Sequence, residues 1–112
     1  MHGPAVVSVS IKDLTALNAA YMPFIVGGGL FIPTDKPYSI GSELFLLLHI
    51  IDKLEPLAIA AKIIWITPAR ATAQRVRGIG VQFNDPVDNA RKYIENTLLK
   101  SHSRQGSARY TL

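Results

Sequence analysis

The stretch "YMPFIVGGGLFI", residues 21–32, sets three adjacent glycines between an aromatic-rich segment and a strand-like run. Backbone N–H groups in such a run can cradle a phosphate, usually at a helix N-terminus with a lysine or arginine beside it. Here a strand-like run follows the glycines and no base is adjacent in sequence. Lys12 is the only basic residue before Lys36. That context favours a turn or bulge leading into a strand. No other pattern supplies a reaction centre. The chain has no Gly-x-Ser-x-Gly, no Walker motif and no pair of carboxylates in an apolar setting. His49 stands alone in an apolar run, His2 and His102 are terminal, and no pair has metal-ligand spacing. No catalytic residue, metal ligand or cofactor site is therefore assigned, and the chain reads as a non-enzyme.

What remains is binding chemistry. Tyr21, Met22, Pro23, Phe24 and Trp65 are candidates for a protein-docking surface. Tyrosine, tryptophan, methionine and phenylalanine are enriched at interface centres, and Pro23 fixes the local backbone. Core packing is the competing use of the same side chains. A second candidate is basic. The net charge is +4, yet residues 1–69 sum to −1 and residues 70–112 to +5, and all six arginines follow residue 69. Arg70, Arg75 and Arg77 fall in one polar loop, and Arg104 and Arg109 near the end. Such asymmetry can mark nucleic-acid contact. A single-strand platform needs aromatics interleaved with bases on one sheet face. The chain has only nine aromatics, and Phe31, Phe45 and Phe83 read as core, so a solvated surface is favoured over nucleic acid.

The elements that must carry these residues are mostly strands. In "VVSVSIK", Val7, Val9 and Ile11 alternate with Ser8, Ser10 and Lys12, a half-buried strand. Asp13 can cap a short turn or helix over 13–18. "AAYMPF" is extended up to Pro23, because the residue before proline disfavours helix. "GGGLFIP" enters a strand after glycines free to take positive φ. "ELFLLLHII" and "LAIAAKIIWIT" read as long strands joined at "DKLEP". In the second, Leu57, Ile59, Ala61, Ile63 and Trp65 share one face, and Lys62, Ile64 and Ile66 the other. Both faces are mostly apolar, so the strand is covered on both sides or has one side left for a partner. "GIGVQF" is a strand with Ile79, Val81 and Phe83 inward and Gly80 at a bulge or close approach. Asp85 and Pro86 then suit the N-cap and first turn of a helix over about 85–100. Val87, Ala90, Ile94 and Leu98 lie on its one apolar face, and an Asp88–Lys92 pair supports it. Residues 101–112 read as a flexible basic tail. About six antiparallel strands with one C-terminal helix close most easily into a small barrel.

At 112 residues the chain is one domain, long enough to bury a core without staples. It has no cysteine, which excludes a disulfide framework. Its longest apolar run, residues 44–51, falls short of the roughly eighteen residues that span a bilayer. The chain reads as soluble and cytoplasmic, with no membrane insertion.

The order "GGLFI", "KIIWIT", "GIGVQF" and then a helix resembles the PilZ domain over about residues 5–100. "YMPFIVGGGLFIP" with "IIWITP" resembles its type IV pilus branch. The resemblance implies a mainly β fold, a six-stranded antiparallel β-barrel with a C-terminal α-helix over residues 1–100. It implies an adaptor in pilus biogenesis and twitching motility, docking on a pilus-extension ATPase (PilB-like) and on a GGDEF/EAL-domain protein (FimX-like). Many PilZ domains bind cyclic di-GMP through Arg-x-x-x-Arg near the N-terminus and Asp/Asn-x-Ser-x-x-Gly leading into a strand. With Gly29 as the motif glycine, Val26 stands at the serine position and Phe24 at the Asp/Asn position, and no arginine precedes them. Two lost charge-assisted contacts, each worth about 1.5–3 kcal/mol, weaken binding by about a hundredfold or more. The expectation is thus an adaptor that does not itself bind cyclic di-GMP. The alternative is a direct receptor drawing charge from Arg70, Arg75 or Arg77.

Overall fold

The structure, a computed structural model, describes residues 5–51, 53–68 and 76–110, with the backbone alone over 101–110. Five strands and two helices follow in the order β1 (Ala5–Ile11), α1 (Leu14–Ala20), β2 (Gly29–Pro33), β3 (Glu43–Ile50), β4 (Leu57–Ile66), β5 (Gly78–Phe83) and α2 (Asn89–Tyr110). The strands form one curled sheet in the order β1-β3-β4-β5-β2, a half-barrel.

The fold is mainly β, but two features of the expected barrel are corrected. The described residues form five strands, not six. The segment meant as the sixth contributes one bridge, Tyr21 to Leu30, and then turns. Pro23 has no N–H for a ladder, so pairing stops there. The sheet is also mixed rather than antiparallel throughout. β1 runs parallel to β3, from Ala5 opposite Leu44 to Ile11 opposite Ile50, while the other three pairings are antiparallel. A parallel pair needs a long crossover, and α1, β2 and their loops supply it.

The alternating strands sort cleanly between two faces. Val7, Val9 and Ile11 of β1, Leu44, Leu46, Leu48 and Ile50 of β3, and Ile79, Val81 and Phe83 of β5 turn to the inner face. Both helices close that face. Asp13 caps α1 by accepting the Ala16 N–H at 2.7 Å, and Leu17 is fully buried. α2 contributes Ala90 and Ile94, both fully buried, with Leu98 packed beside them. Lys53, just past β3, lies over the Tyr93 ring of α2 at 5.1 Å.

The start of α2 differs from expectation. Asp85 to Asp88 form a turn, and the helix opens at Asn89, so Val87 is exposed rather than on the apolar face. Asp85 still caps from this turn, accepting from Ala90 N at 3.0 Å. Asp88, at φ 56, pairs with Arg91 instead of Lys92. The helix also runs on past residue 100 to Tyr110, within the stretch expected as a tail.

Candidate functional site

The loop from Tyr21 to Gly28 is tied down at both ends. Tyr21 closes α1, its N–H donating to the Leu17 carbonyl. Its side chain is only 8% exposed, and its hydroxyl donates to Glu95 of α2 at 2.5 Å. Burial first, then that hydrogen bond, holds the phenol's pKa above its ordinary value. Met22 N donates to Gly29 O at 2.9 Å, Gly28 N to Ile25 O at 2.7 Å, and Phe83 N to Gly28 O at 3.0 Å. Gln82 of β5 reaches across to donate to the Val26 carbonyl at 2.9 Å. Gly27 and Gly28 sit at φ 79 and 83, the left-handed region that glycine enters without a Cβ clash. The glycines thus make a turn that leads into β2. Between these anchors Phe24 is 78% exposed and Val26 85% exposed.

A base does lie beside the glycines in space. A Cβ on Gly28 would stand 3.3 Å from Arg91 Cγ, from the Phe83 ring and from the Tyr21 hydroxyl oxygen. Arg91 is already engaged on both sides, donating to Asp88 and to Glu95 at 3.2 Å each. The Asp88 hydrogen bond, then the Asp88 charge, raises its pKa above the ordinary guanidinium value. A phosphate cradle wants a free cation beside free N–H groups. Here the cation serves two carboxylates, and Gly28 N–H serves Ile25.

Trp65 reaches the outer face through a bulge in β4. Ile63 pairs with Val81, but Trp65 pairs with the next residue, Gly80, so Ile64 is an extra residue on β4. A bulge flips the phase of a strand from that point on. Trp65 therefore leaves the face it was expected to share with Ile63 and stands 43% exposed, while Ile66 turns toward the core. Gly80 makes room for it. A Cβ there would lie 3.0 Å from Trp65 Cβ and 3.4 Å from Met22 Cε. Phe31, opposite Gly80 on β2, adds a half-buried ring.

Of the five docking candidates, the structure brings Met22 and Trp65 together over Gly80. It carries Pro23 and Phe24 outward on the adjoining turn. Tyr21 is not among them. It belongs to the core and holds the loop through Glu95, a partner 74 residues away. Phe45, expected in the core, is 46% exposed on the outer face, so of Phe31, Phe45 and Phe83 only Phe83 is buried. Sequence reasoning missed Arg91 and Glu95, although their spacing from Asp88 and from each other is that of helical ion pairs. His49 meets Ser8 Oγ at 3.2 Å in an exposed pair, and among the described residues no carboxylate hydrogen-bonds to it. Arg70 and Arg75 lie outside the described residues; Arg77 is exposed. Among the described residues no three of His, Asp and Glu converge as metal ligands. No described helix is long and apolar enough to cross a membrane.

The sequence profile of the PilZ domain matches residues 3–100. No curated protein matches the chain.

Proposed function

The chain belongs to the PilZ domain family, and on that premise we propose that it is a non-enzymatic adaptor of type IV pilus biogenesis that passes on a cyclic di-GMP signal without holding the nucleotide. Its partners in this reading are a pilus-extension ATPase and a GGDEF/EAL-domain protein. Its docking surface comprises Met22, Pro23, Phe24 and Trp65, joined by Val26 and Phe31, and Tyr21 supports it from beneath.

One observation carries the reading. With Gly29 taken as the motif glycine, Phe24 and Val26 stand where a nucleotide-binding member of the family would present Asp/Asn and serine, and both project apolar side chains into solvent. A phosphate or guanine edge meets no side-chain donor or acceptor at either position. Leaving such large apolar groups exposed on a pinned loop, beside a half-exposed tryptophan, costs solvation unless a partner covers them.

Calorimetry of the purified chain with cyclic di-GMP, and binding assays with each purified partner, test it. The expected result is no heat with the nucleotide and measurable binding to both proteins. Phe24→Ala or Trp65→Ala should weaken one of those complexes by about 2 kcal/mol or more, roughly thirtyfold. Micromolar nucleotide binding that vanishes when Arg70, Arg75 and Arg77 are replaced would instead identify a direct receptor.

A further inference from the structure

The two edges of the sheet are treated differently. β2 is short, ends at Pro33 and is flanked by the segment that bridges Tyr21 to Leu30 and places Met22 N on Gly29 O. Pairing by a further strand is blunted there. β1, at the opposite edge, is seven residues long and reads AVVSVSI. It carries no charge, proline, glycine or bulge, and among the described residues no backbone group pairs with its outer side. Charge, proline and bulges are devices that normally prevent edge association, and among the described residues β1 has none of them.

We propose that β1 is a self-association edge, on which the β1 strand of a second copy of this chain pairs antiparallel about a two-fold axis at Ser8. The sequence is self-complementary about that point. Ser8 meets Ser8, Val7 meets Val9, and Val6 meets Ser10. This operation keeps every inward residue opposite an inward one, so the inner apolar rows of both copies become continuous. Val7 and Val9, only half-buried in one copy although both pack on the core, gain cover. On the outer face Val6, 65% exposed next to Phe45, lies across from Ser10, and the two Ser8 hydroxyls face each other. No charge opposes its own image along Val6–Ser10. β3 separates this edge from β4, which carries Trp65, so the pairing leaves the adaptor surface open and stands whether or not that reading holds.

Only the seven residues of β1 pair on each side, short of a standard interface, so the dimer is weak and forms at about 100 µM and above. Sedimentation of the full chain across a concentration series is the test. The expected mass rises from one 12.2 kDa chain toward twice that value. Ser8 is exposed, and Ser8→Lys or Ser8→Glu sets like charges face to face on the axis, so each variant alone should stay at the mass of one chain. An equimolar mixture of the two should dimerise again. Unchanged far-UV circular dichroism shows that the variants are folded. A wild type that stays at one chain's mass up to about 1 mM overturns the proposal. So does a folded Ser8→Lys variant that dimerises as well as wild type. If β1 amides become protected only when an extended peptide is added, the edge takes another partner and the self-pairing is wrong.

Discussion

The inner and outer faces of the sheet are built from similar residue types to opposite ends. The inner face holds Leu46, Ile63 and Val81, closed over by Leu17 and Ile94 of the two helices, and among the described residues no buried side-chain nitrogen or oxygen lacks a partner. The outer face holds Phe31, Phe45 and Trp65, with Phe24 and Val26 on the loop beside it, and no described element covers them. Tyr21 and Phe24 show the contrast within one turn of chain: one aromatic ring fixes the loop and the other is displayed by it. The lesson is that the packed core and the displayed apolar side chains lie on different faces, so stability and the proposed partner binding can be perturbed separately.

That separation breaks most visibly at Ile94. Ile94→Ala empties a fully buried site and should cost about 2–5 kcal/mol in denaturant unfolding. Partner affinity of the molecules that remain folded should not change. Phe24→Ala should do the reverse, with stability within about 0.5 kcal/mol of wild type and partner binding weaker by about 2 kcal/mol. If Phe24→Ala destabilises as strongly as Ile94→Ala, the division of labour fails. Tyr21→Phe tests the link between faces. It leaves the Glu95 carboxylate without its phenol and should cost about 1–2 kcal/mol, read by thermal melting, with a looser loop and a smaller loss of partner affinity than Phe24→Ala. The smallest effect is alkaline. A phenol whose pKa is raised in the fold gives stability that is complete below the unfolded value of about 10 and is lost as pH climbs above it toward the folded one. Wild type should therefore lose more stability between pH 9 and roughly 11 than Tyr21→Phe does. Equal losses would remove Tyr21 from the account.

Much of the inner face was legible because alternation is a local signal. Val7, Val9, Ile79, Val81 and Phe83 point where period two sends them, and Asp13 and Asp85 both cap. The Ile64 bulge was not legible, because an extra residue in a run as uniform as "KIIWI" changes no pattern; only the pairing of Trp65 with Gly80 exposes it. The burial of Tyr21 depends on Glu95, and the neutralised base at Gly28 on Arg91, both brought from the far end of the chain by α2. The parallel sense of β1 likewise depends on where the crossover lands, which no short window of sequence records. For the candidate site, the residue types at 22, 23, 24 and 65 marked side chains that are exposed or half-exposed, whereas Tyr21, expected beside them, is buried.

The parallel pairing of β1 with β3 also sets an order of events. Leu48 and Leu57 are close along the chain, so the β3–β4 hairpin closes over a short loop, whereas Ala5 must wait for Leu44. Closing the longer loop costs more entropy before any contact compensates, and distant pairings form more slowly. β1 is thus the strand that docks late onto a preformed hairpin, and in refolding its amides should gain protection after those of β3 and β4. Until then the chain carries a loose, uncharged β-prone segment, the kind that chaperones recognise and that concentrated refolding mixtures precipitate through.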